Sequence, residues 1–141
     1  VAVARAAAET VGAASVEVKV VGPSEPWPLD RVRMEEVLTN LLRNALEASP
    51  AGEPVELTVT VGEGQALRYE VRDRGEGLPL GEEDRVFEPF FTRKTKGTGL
   101  GLALARRIVA GHGGELSAHN HADGGAVFRV SLPRHRTAGS T

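Results

Sequence analysis

The sequence predicts a two-layer α/β sandwich in which long amphipathic helices cover a sheet. Two observations support this fold class. Apolar and polar residues alternate in several short segments, as they do in half-buried strands, and two longer segments carry apolar residues at helical spacing. Predicted strands outnumber predicted helices, and a helix with one apolar stripe needs another layer to cover. The length of 141 residues fits a single domain.

Five strands follow from the alternation. In the first, Val16, Val18 and Val20 alternate with charged residues until a glycine and several prolines end the strand. The next two strands are joined by a turn at 62–64, and a last pair follows the second helix. These four strands are predicted over 55–61, 67–72, 115–119 and 126–132.

Two long helices are predicted between these strands. Asp30 can cap a helix whose apolar residues recur at i, i+3, i+4 and i+7 from Met34 to Leu46, and this helix ends before Pro50. The second helix is predicted from about Gly99 to Ala110, where a run of glycines terminates it.

Composition excludes several function classes. Apolar residues make up 40% of the chain and charged residues 26%, which argues against disordered, collagen-like and membrane proteins. The absence of cysteine excludes disulfide frameworks, thiol nucleophiles and zinc–thiolate sites. A net charge of -2 gives no basic footprint for nucleic acid. Since no long apolar run or signal peptide is present, we expect a soluble, cytoplasmic domain without direct membrane contact.

Glycine is in excess and unevenly placed. Of the 141 residues, 17 are glycine, about 12% against the usual share of about 7%. Most of these glycines lie between positions 75 and 125. This clustering indicates that one part of the chain needs bare backbone, either for turns or for a binding site.

Asn40 and Asn44 are four residues apart on the first long helix and therefore share a face, away from the apolar stripe and beside Glu36, Arg43 and Glu47. Their amide oxygens could hold a hydrated cation such as Mg²⁺ beside phosphates. The alternative is an ordinary solvated helix face.

Asp73 is in phase with Leu67, Tyr69 and Val71, so its carboxylate is predicted to point to the side that those residues use. It is followed by Arg74-Gly75-Glu76-Gly77-Leu78, in which two glycines allow close backbone approach. A carboxylate beside bare backbone would suit a purine amino group. The alternative is an aspartate that merely stabilises a turn.

The segment from Lys94 to Leu102 places cations and three alternate glycines at the start of the second helix. Free amides and the positive end of the helix dipole favour an anion there, with triphosphate the obvious candidate. A P-loop is excluded because no Gly-Lys-Ser/Thr sequence exists, and the glycine spacing also differs from the dinucleotide-binding fingerprint.

Two further groups of residues are weaker candidates. The stretch from Val86 to Arg93 holds three of the four phenylalanines, which could fix one end of a mobile lid or serve as a plain hydrophobic anchor. The histidines are interpreted as surface or loop residues rather than metal ligands; they are His112, His119, His121 and His135.

Taken in order, these segments resemble the ATP-binding catalytic domain of bacterial sensor histidine kinases, within the class that includes gyrase, Hsp90 and the mismatch-repair ATPases. The resemblance covers about residues 16–133. Its motifs are the N box, the first glycine box, the F box, the second glycine box and a final glycine pair, found here at 40–45, 73–77, 87–91, 97–102 and 124–128.

The resemblance implies a Bergerat ATP-binding fold, a mixed, mainly antiparallel sheet covered on one face by about three helices. It also implies that Asn44, assisted by Asn40, coordinates Mg²⁺ and that Asp73 accepts a hydrogen bond from the adenine amino group. Asn44, Arg93 and Lys94 are the implied catalytic residues, with a lid over about 78–98. The implied ATP-binding residues are Asn40, Arg43, Asn44, Glu47, Asp73, Gly75, Gly77, Leu78, Thr92, Lys94, Gly97, Thr98, Gly99, Leu100, Gly101, Leu102 and Ala126.

The chain departs from the sensor-kinase pattern at three positions, and at a fourth, Asn40, it differs from the hydrolytic relatives and the related serine kinases. Glu47 stands where many sensor kinases have a lysine, so a phosphate contact is missing or moved to Arg43. Arg74 replaces the usual asparagine, and Ala126 replaces a frequent threonine that helps to bind adenine, which favours weaker affinity. Asn40 occupies the place of the glutamate base of hydrolytic relatives, which favours transfer to an acceptor over attack by water.

The acceptor is expected elsewhere, because sensor kinases phosphorylate a histidine followed by an acidic residue and none of the four histidines is so followed. We expect residues 1–12 to end a helix from an upstream dimerisation domain, 13–133 to form the catalytic domain and 134–141 to be a disordered tail. The implied partners are that upstream domain and a response regulator. The isolated domain is expected to be monomeric and the full-length protein, soluble or membrane-anchored, a homodimer.

The function that follows is binding of Mg-ATP and transfer of its γ-phosphate to a histidine in two-component signalling. Two alternatives stay open at this point. One is a regulatory module that binds nucleotide without transfer, and the other is a stand-alone serine kinase or ATPase of the same superfamily.

Overall fold

A computed structural model of the chain describes residues 2–21, 30–50, 52–61, 66–78, 81, 83–88 and 101–133. The segments between these ranges include most of the predicted lid. The predicted disordered tail at 134–141 lies outside the described residues as well.

Five strands form one mixed sheet in the order β1-β2-β3-β5-β4. β1 and β2 are parallel, and the other neighbouring pairs are antiparallel. The predicted fold class is therefore confirmed. The strands are β1 (Val16–Val21), β2 (Val55–Val61), β3 (Ala66–Arg72), β4 (Glu115–Asn120) and β5 (Ala126–Pro133).

The described part of the chain contains three α-helices: α1 (Ala2–Val11), α2 (Arg31–Ala48) and α3 (Gly101–Gly111). Short 3₁₀ turns at 13–15 and 83–87 were not predicted. Asp30 caps α2 as predicted, because its side chain accepts a hydrogen bond from the backbone N–H of Arg33 at 3.1 Å. Within the described ranges, none of the helices has both the length and the apolar character needed to cross a bilayer.

α1 packs into the same core as the rest of the domain. Four of its residues, Val3, Ala4, Ala7 and Ala8, are buried in the core cluster. Small alanine side chains on one helical face allow the close approach of α1 to its neighbours. The division of the chain at residue 12 stays a prediction. α1, which lies before that boundary, contributes to the hydrophobic core.

The helices cover one face of the sheet. Register explains which side chains meet them, because Val71, Tyr69 and Leu67 of β3 pair with Phe128, Val130 and Leu132 of β5 and all six point to the same side. The buried sheet residues on this face are Val16, Val55, Leu57, Val59, Leu67, Tyr69, Val71, Leu116, Ala126, Phe128, Val130 and Leu132. Val127 of β5 is also buried, on the opposite face. Burial raises the pKa of the Tyr69 phenol to about 12, so this hydroxyl stays neutral in the core at neutral pH.

The opposite face of the sheet is polar and carries a cluster of ion pairs around Glu56. Lys19 donates to the Glu56 carboxylate at 3.0 Å, and Arg74 and Arg72 lie 3.4 and 3.7 Å from it. The hydrogen bond from Lys19 is the main reason why the pKa of Glu56 lies below its ordinary value. The charged form of Glu56 therefore stabilises the fold.

We expect Glu56→Gln to lower the free energy of unfolding at pH 7 by about 1 kcal/mol, the scale of one charge-assisted hydrogen bond. Because the folded-state pKa is depressed, this stabilisation is present above the ordinary pKa of 4.5 and is lost as the pH falls through and below it. Urea unfolding of both chains between pH 3 and 7 measures the difference.

Glu115→Gln is the matched control, since Glu115 lies exposed on the same face of the sheet. The wild type and Glu56→Gln should converge in stability at low pH, whereas Glu115→Gln should follow the wild type throughout. An equal loss in both variants at pH 7 would contradict the assignment.

Candidate nucleotide site

The predicted site residues of α2 and of the β3 end are brought together by Ser49. Ser49 is the C-cap of α2 and is buried, with 8% of its surface exposed. Its hydroxyl donates to the carbonyl of Ala45 at 2.8 Å and accepts from the backbone N–H of Arg74 at 2.8 Å. One side chain thus fixes the end of α2, four residues after the N-box Asn44, against the loop that begins at Asp73.

Asp73 lies at the end of β3 and is completely excluded from solvent. Its Oδ1 accepts hydrogen bonds from the backbone N–H groups of Gly75 and Ala126, each at 3.0 Å. Its own N–H donates to the carbonyl of Ala126 at 2.9 Å. The bond from Gly75 is the turn interaction that the sequence left as an alternative. The burial and the second amide from β5 go beyond a simple turn.

The glycines around Asp73 have reasons within the protein itself. A Cβ on Gly75 would overlap the carbonyl of Ala48, and one on Gly125 would overlap the carbonyl of Asp73. Gly77 and Gly125 also adopt positive φ values of 89° and 82°, which favour glycine. Contact of Gly75 and Gly77 with a purine stays a prediction, because close packing and backbone conformation already require glycine there.

One atom of the Asn44 side-chain amide lacks a hydrogen-bond partner among the described residues. This atom, Nδ2, is buried. Since an amide can be turned by 180° without a change of shape, its buried end can present either a donor or an acceptor. Buried polar atoms without partners are rare in proteins, and each needs an explanation such as a ligand.

Asn40 faces α3 instead. Its side chain lies beside Gly101, where an added Cβ would be 3.6 Å from Cγ and Oδ1 of Asn40. A cleft of about 580 Å³ opens here between the three helices, and neither Asn44 nor Glu47 lines it. The cleft is lined by Thr10, Val32, Glu35, Glu36, Thr39, Asn40, Arg43, Gly101 and Leu104.

Other predicted site residues are buried in the core or lie outside the description. Leu78 and Leu102 are 5% and 8% exposed and belong to the hydrophobic core. The predicted residues Thr92, Arg93, Lys94, Gly97, Thr98, Gly99 and Leu100 lie outside the described residues.

Phe87 anchors the chain before that segment. It is 4% exposed and meets the edge of Phe128 with ring centroids 6.0 Å apart and an angle of 85° between the rings. The guanidinium carbon of Arg106 on α3 lies 4.7 Å from the centre of the Phe87 ring. Both contacts fit the hydrophobic-anchor interpretation of this residue.

His112 lies in the turn after α3, as the loop interpretation expects, but it is buried rather than on the surface. His112 is only 8% exposed, its Nδ1 lies 2.9 Å from the carbonyl of Ile108, and its Nε2 accepts from the N–H of Asp30 at 3.1 Å. It therefore joins the end of α3 to the start of α2, and both ring nitrogens are engaged. Its position directly after an apolar-striped helix was a signal for burial. In the described ranges, no group of three or more His, Asp or Glu side chains could hold a metal.

Sequence reasoning also missed Ser49 and Asn120. Asn120 accepts from the N–H of Leu78 at 2.7 Å and donates to its carbonyl at 3.1 Å. No motif marks either residue, because both act on backbone groups that are distant in the sequence.

Comparison with known proteins shows the family and the fold of the chain. A family model described as histidine kinase-, DNA gyrase B-, and HSP90-like ATPase matches residues 29–136. The chain is 38% identical over 117 residues to the sensor protein TdiS of Thauera aromatica, covering 79% of this chain and 21% of TdiS. It is 42% identical over 106 residues to the sensor protein FixL of Bradyrhizobium diazoefficiens, covering 74% of this chain and 21% of FixL. The chain thus spans about a fifth of the length of these relatives.

Solved structures give the same result. The mycobacterial sensor histidine kinase MprB superposes with a TM-score of 0.80 at 28% identity, covering 96% of this chain and 95% of that chain. The catalytic domain of the histidine kinase ThkA gives 0.78 at 30% identity, with coverage of 94% and 91%. Full-length ShkA in complex with AMPPNP gives 0.80 at 29% identity and covers 99% of this chain and 31% of that chain.

The close approach of Gly125 to Asp73 can be tested with a matched pair of variants. Gly124 and Gly125 both have positive φ, but a Cβ on Gly124 would meet nothing within 4 Å. We expect Gly124→Ala to lower the free energy of unfolding by about 1 kcal/mol, the cost of left-handed backbone. Gly125→Ala should lose about 3 kcal/mol or more, because the overlap with Asp73 adds to that cost. Urea unfolding measures both, and equal losses would show that the overlap is relieved without cost.

Proposed function

The chain belongs to the family of histidine kinase-, DNA gyrase B- and HSP90-like ATPases, and on that premise we propose that it binds ATP with Mg²⁺ and transfers the γ-phosphate to a histidine on a separate domain. Its relatives are sensor histidine kinases, so the domain is of the kind that serves two-component signalling. The upstream dimerisation domain and a response regulator are the proposed partners.

The observation that carries the proposal is the buried side-chain amide atom of Asn44 that has no hydrogen-bond partner among the described residues. This atom, Nδ2, lies on the helix face that the sequence predicts to hold Mg²⁺. A 180° turn of the amide puts Oδ1, the atom that can bind Mg²⁺, in that place. The donor set also fits that ion, since Mg²⁺ binds oxygen ligands and usually keeps several waters beside phosphates. Bound there, Mg²⁺ would neutralise phosphate charge as it builds during transfer.

Asp73 supports recognition of adenine. Two backbone amides fix one carboxylate oxygen and hold the plane of the group. A carboxylate accepts hydrogen bonds only, which suits the 6-amino group of adenine and not the carbonyl that guanine and hypoxanthine carry at that position. The bound state of ShkA with AMPPNP, a relative of the same fold, is consistent with a nucleotide site in this domain.

Transfer to an acceptor needs positioning and charge neutralisation rather than a covalent intermediate. Asn40 has no carboxylate to activate water, and its side chain lies beside the start of α3. Both ring nitrogens of His112 are engaged, so this histidine is a poor phosphate acceptor. These points support an acceptor on another domain.

The Asn44 assignment predicts a loss of magnesium-dependent binding. We expect Asn44→Ala to raise the ATP dissociation constant by about 10-fold or more in the presence of Mg²⁺, the effect of one lost charge-assisted contact. Calorimetric titration with and without EDTA measures this. The wild type should bind more weakly in EDTA, whereas the variant should bind equally in both conditions. A variant that keeps the full magnesium effect would exclude Asn44 as the ligand.

Phosphotransfer itself is tested in the full-length parent with labelled ATP. We expect label on a histidine of the dimerisation domain and none in the Asn44→Ala parent. Nucleotide binding without label would support the regulatory-module alternative. Steady ATP turnover by the present chain alone would support a stand-alone ATPase.

The Asp73 assignment predicts a change in base selectivity. Asp73→Asn offers one amide oxygen in place of the carboxylate, so we expect about a 10-fold or larger rise in the dissociation constant of ATP. ITP, which carries oxygen in place of the 6-amino group, should be affected less. Asp123→Asn, in the exposed turn between β4 and β5, is the control and should leave both constants unchanged. An unaltered ratio of ATP to ITP affinity in Asp73→Asn would rule out this role.

A further inference from the structure

Asn120 makes a two-point contact with a single peptide group. It is the last residue of β4, and its side-chain amide both accepts from the N–H of Leu78 at 2.7 Å and donates to the carbonyl of Leu78 at 3.1 Å. This arrangement satisfies both backbone groups of Leu78 in the manner of a neighbouring strand.

The same contact packs tightly against Gly77. A Cβ on Gly77 would lie 2.6 Å from Oδ1 of Asn120, and Gly77 has a φ of 89°. The backbone therefore has little freedom between Gly77 and Leu78. The buried Leu78 side chain fixes the same point from the core side.

The β4–β5 hairpin holds both ends of residues 73–78, which we call the adenine loop after its proposed role. At one end, Ala126 exchanges two hydrogen bonds with Asp73. At the other end, Asn120 exchanges two with Leu78. Ala126 and Asn120 are register partners in the hairpin. Two directly paired residues thus set the span of the loop.

We propose that Asn120 is a positioning residue of the nucleotide site, acting through the Leu78 backbone to hold the adenine loop in the shape that presents Asp73 to the base. This inference rests on the proposed function. Asn120 does not touch the base in this proposal, so its loss should loosen base recognition while the core stays folded. Of the standard side chains, asparagine offers a donor and an acceptor at this reach, whereas aspartate only accepts and serine has a single oxygen.

The test measures the dissociation constants of ATP and ITP for the wild type, Asn120→Ala and Asn120→Asp, with Mg²⁺ present. We expect ATP affinity to fall about 10-fold in both variants, the effect of one or two hydrogen bonds. ITP affinity should change by less than about 3-fold, which corresponds to under 1 kcal/mol. The ratio of ATP to ITP affinity therefore falls, whereas a general loss of stability would lower both affinities alike.

His119→Ala is the matched control, because His119 precedes Asn120 on the same strand and is exposed on the other face of the sheet. It should leave the ratio unchanged. Asn120→Asp keeps the shape of the side chain, so its ratio of ATP to ITP affinity tests the proposal if Asn120→Ala is poorly folded. An unchanged ratio of ATP to ITP affinity in a folded variant would overturn the proposal. Loss of cooperative unfolding in both Asn120→Ala and Asn120→Asp would also overturn it, by showing that Asn120 serves the fold alone.

A second readout separates this inference from the proposed function. Hydrogen exchange at the Leu78 amide does not depend on nucleotide, and it should accelerate at least 10-fold in Asn120→Ala while amides of the central strands keep their protection. A wild type that binds no ATP would reject the proposed function. Unchanged exchange at Leu78 would reject the positioning role, whatever the wild type binds.

Discussion

The buried carboxylate of Asp73 is the constraint around which the site is arranged. A charged group without access to water is costly unless hydrogen bonds replace its hydration. Here the backbone amides of Gly75 and Ala126 supply such bonds. Each amide reaches the carboxylate because a glycine allows the backbone to approach closely. Gly75 must be small to pass the end of α2, and Ala126 can reach the carboxylate because Gly125 allows β5 to approach. The need to satisfy one aspartate thereby fixes the spacing of a helix, a loop and a hairpin.

Three polar side chains connect separate elements of the domain by hydrogen bonds to backbone groups. Ser49 links α2 to the loop through the Arg74 amide, Asn120 links β4 to Leu78, and His112 links α3 to the start of α2. Each binds a backbone group rather than another side chain, so each holds position independently of the residue type at the other end. The apolar core stabilises the layers. Ser49 and Asn120 hold α2 and β4 against the loop that begins at Asp73, whereas His112 acts at the other end of α2.

Much of the fold could be predicted from the sequence because its signals are periodic. The alternation around Leu57 and Tyr69 and the helical stripe from Met34 to Leu46 depend only on local spacing, and the structure confirms both. The pairing of β3 with β5 and the parallel placement of β1 could not be derived that way, since they depend on contacts across the chain; the family resemblance supplied the sheet type. Asn44 and Asp73 stood out through their motifs. Ser49 and Asn120 did not, because a side chain that binds a distant peptide group leaves no local pattern.

At two of the departures from the family pattern, Ala126 and Arg74, the contacts with the site are made by the backbone. Ala126 contributes its N–H and carbonyl to Asp73, and any residue could offer those groups, so the missing threonine hydroxyl leaves the orientation of Asp73 intact. Arg74 likewise acts through its backbone N–H on Ser49, and its side chain turns to Glu56 on the polar face of the sheet. Both substitutions fall where the backbone does the positioning. The geometry that holds Asp73 is therefore insensitive to them, and any effect on affinity must arise from contacts with the nucleotide itself.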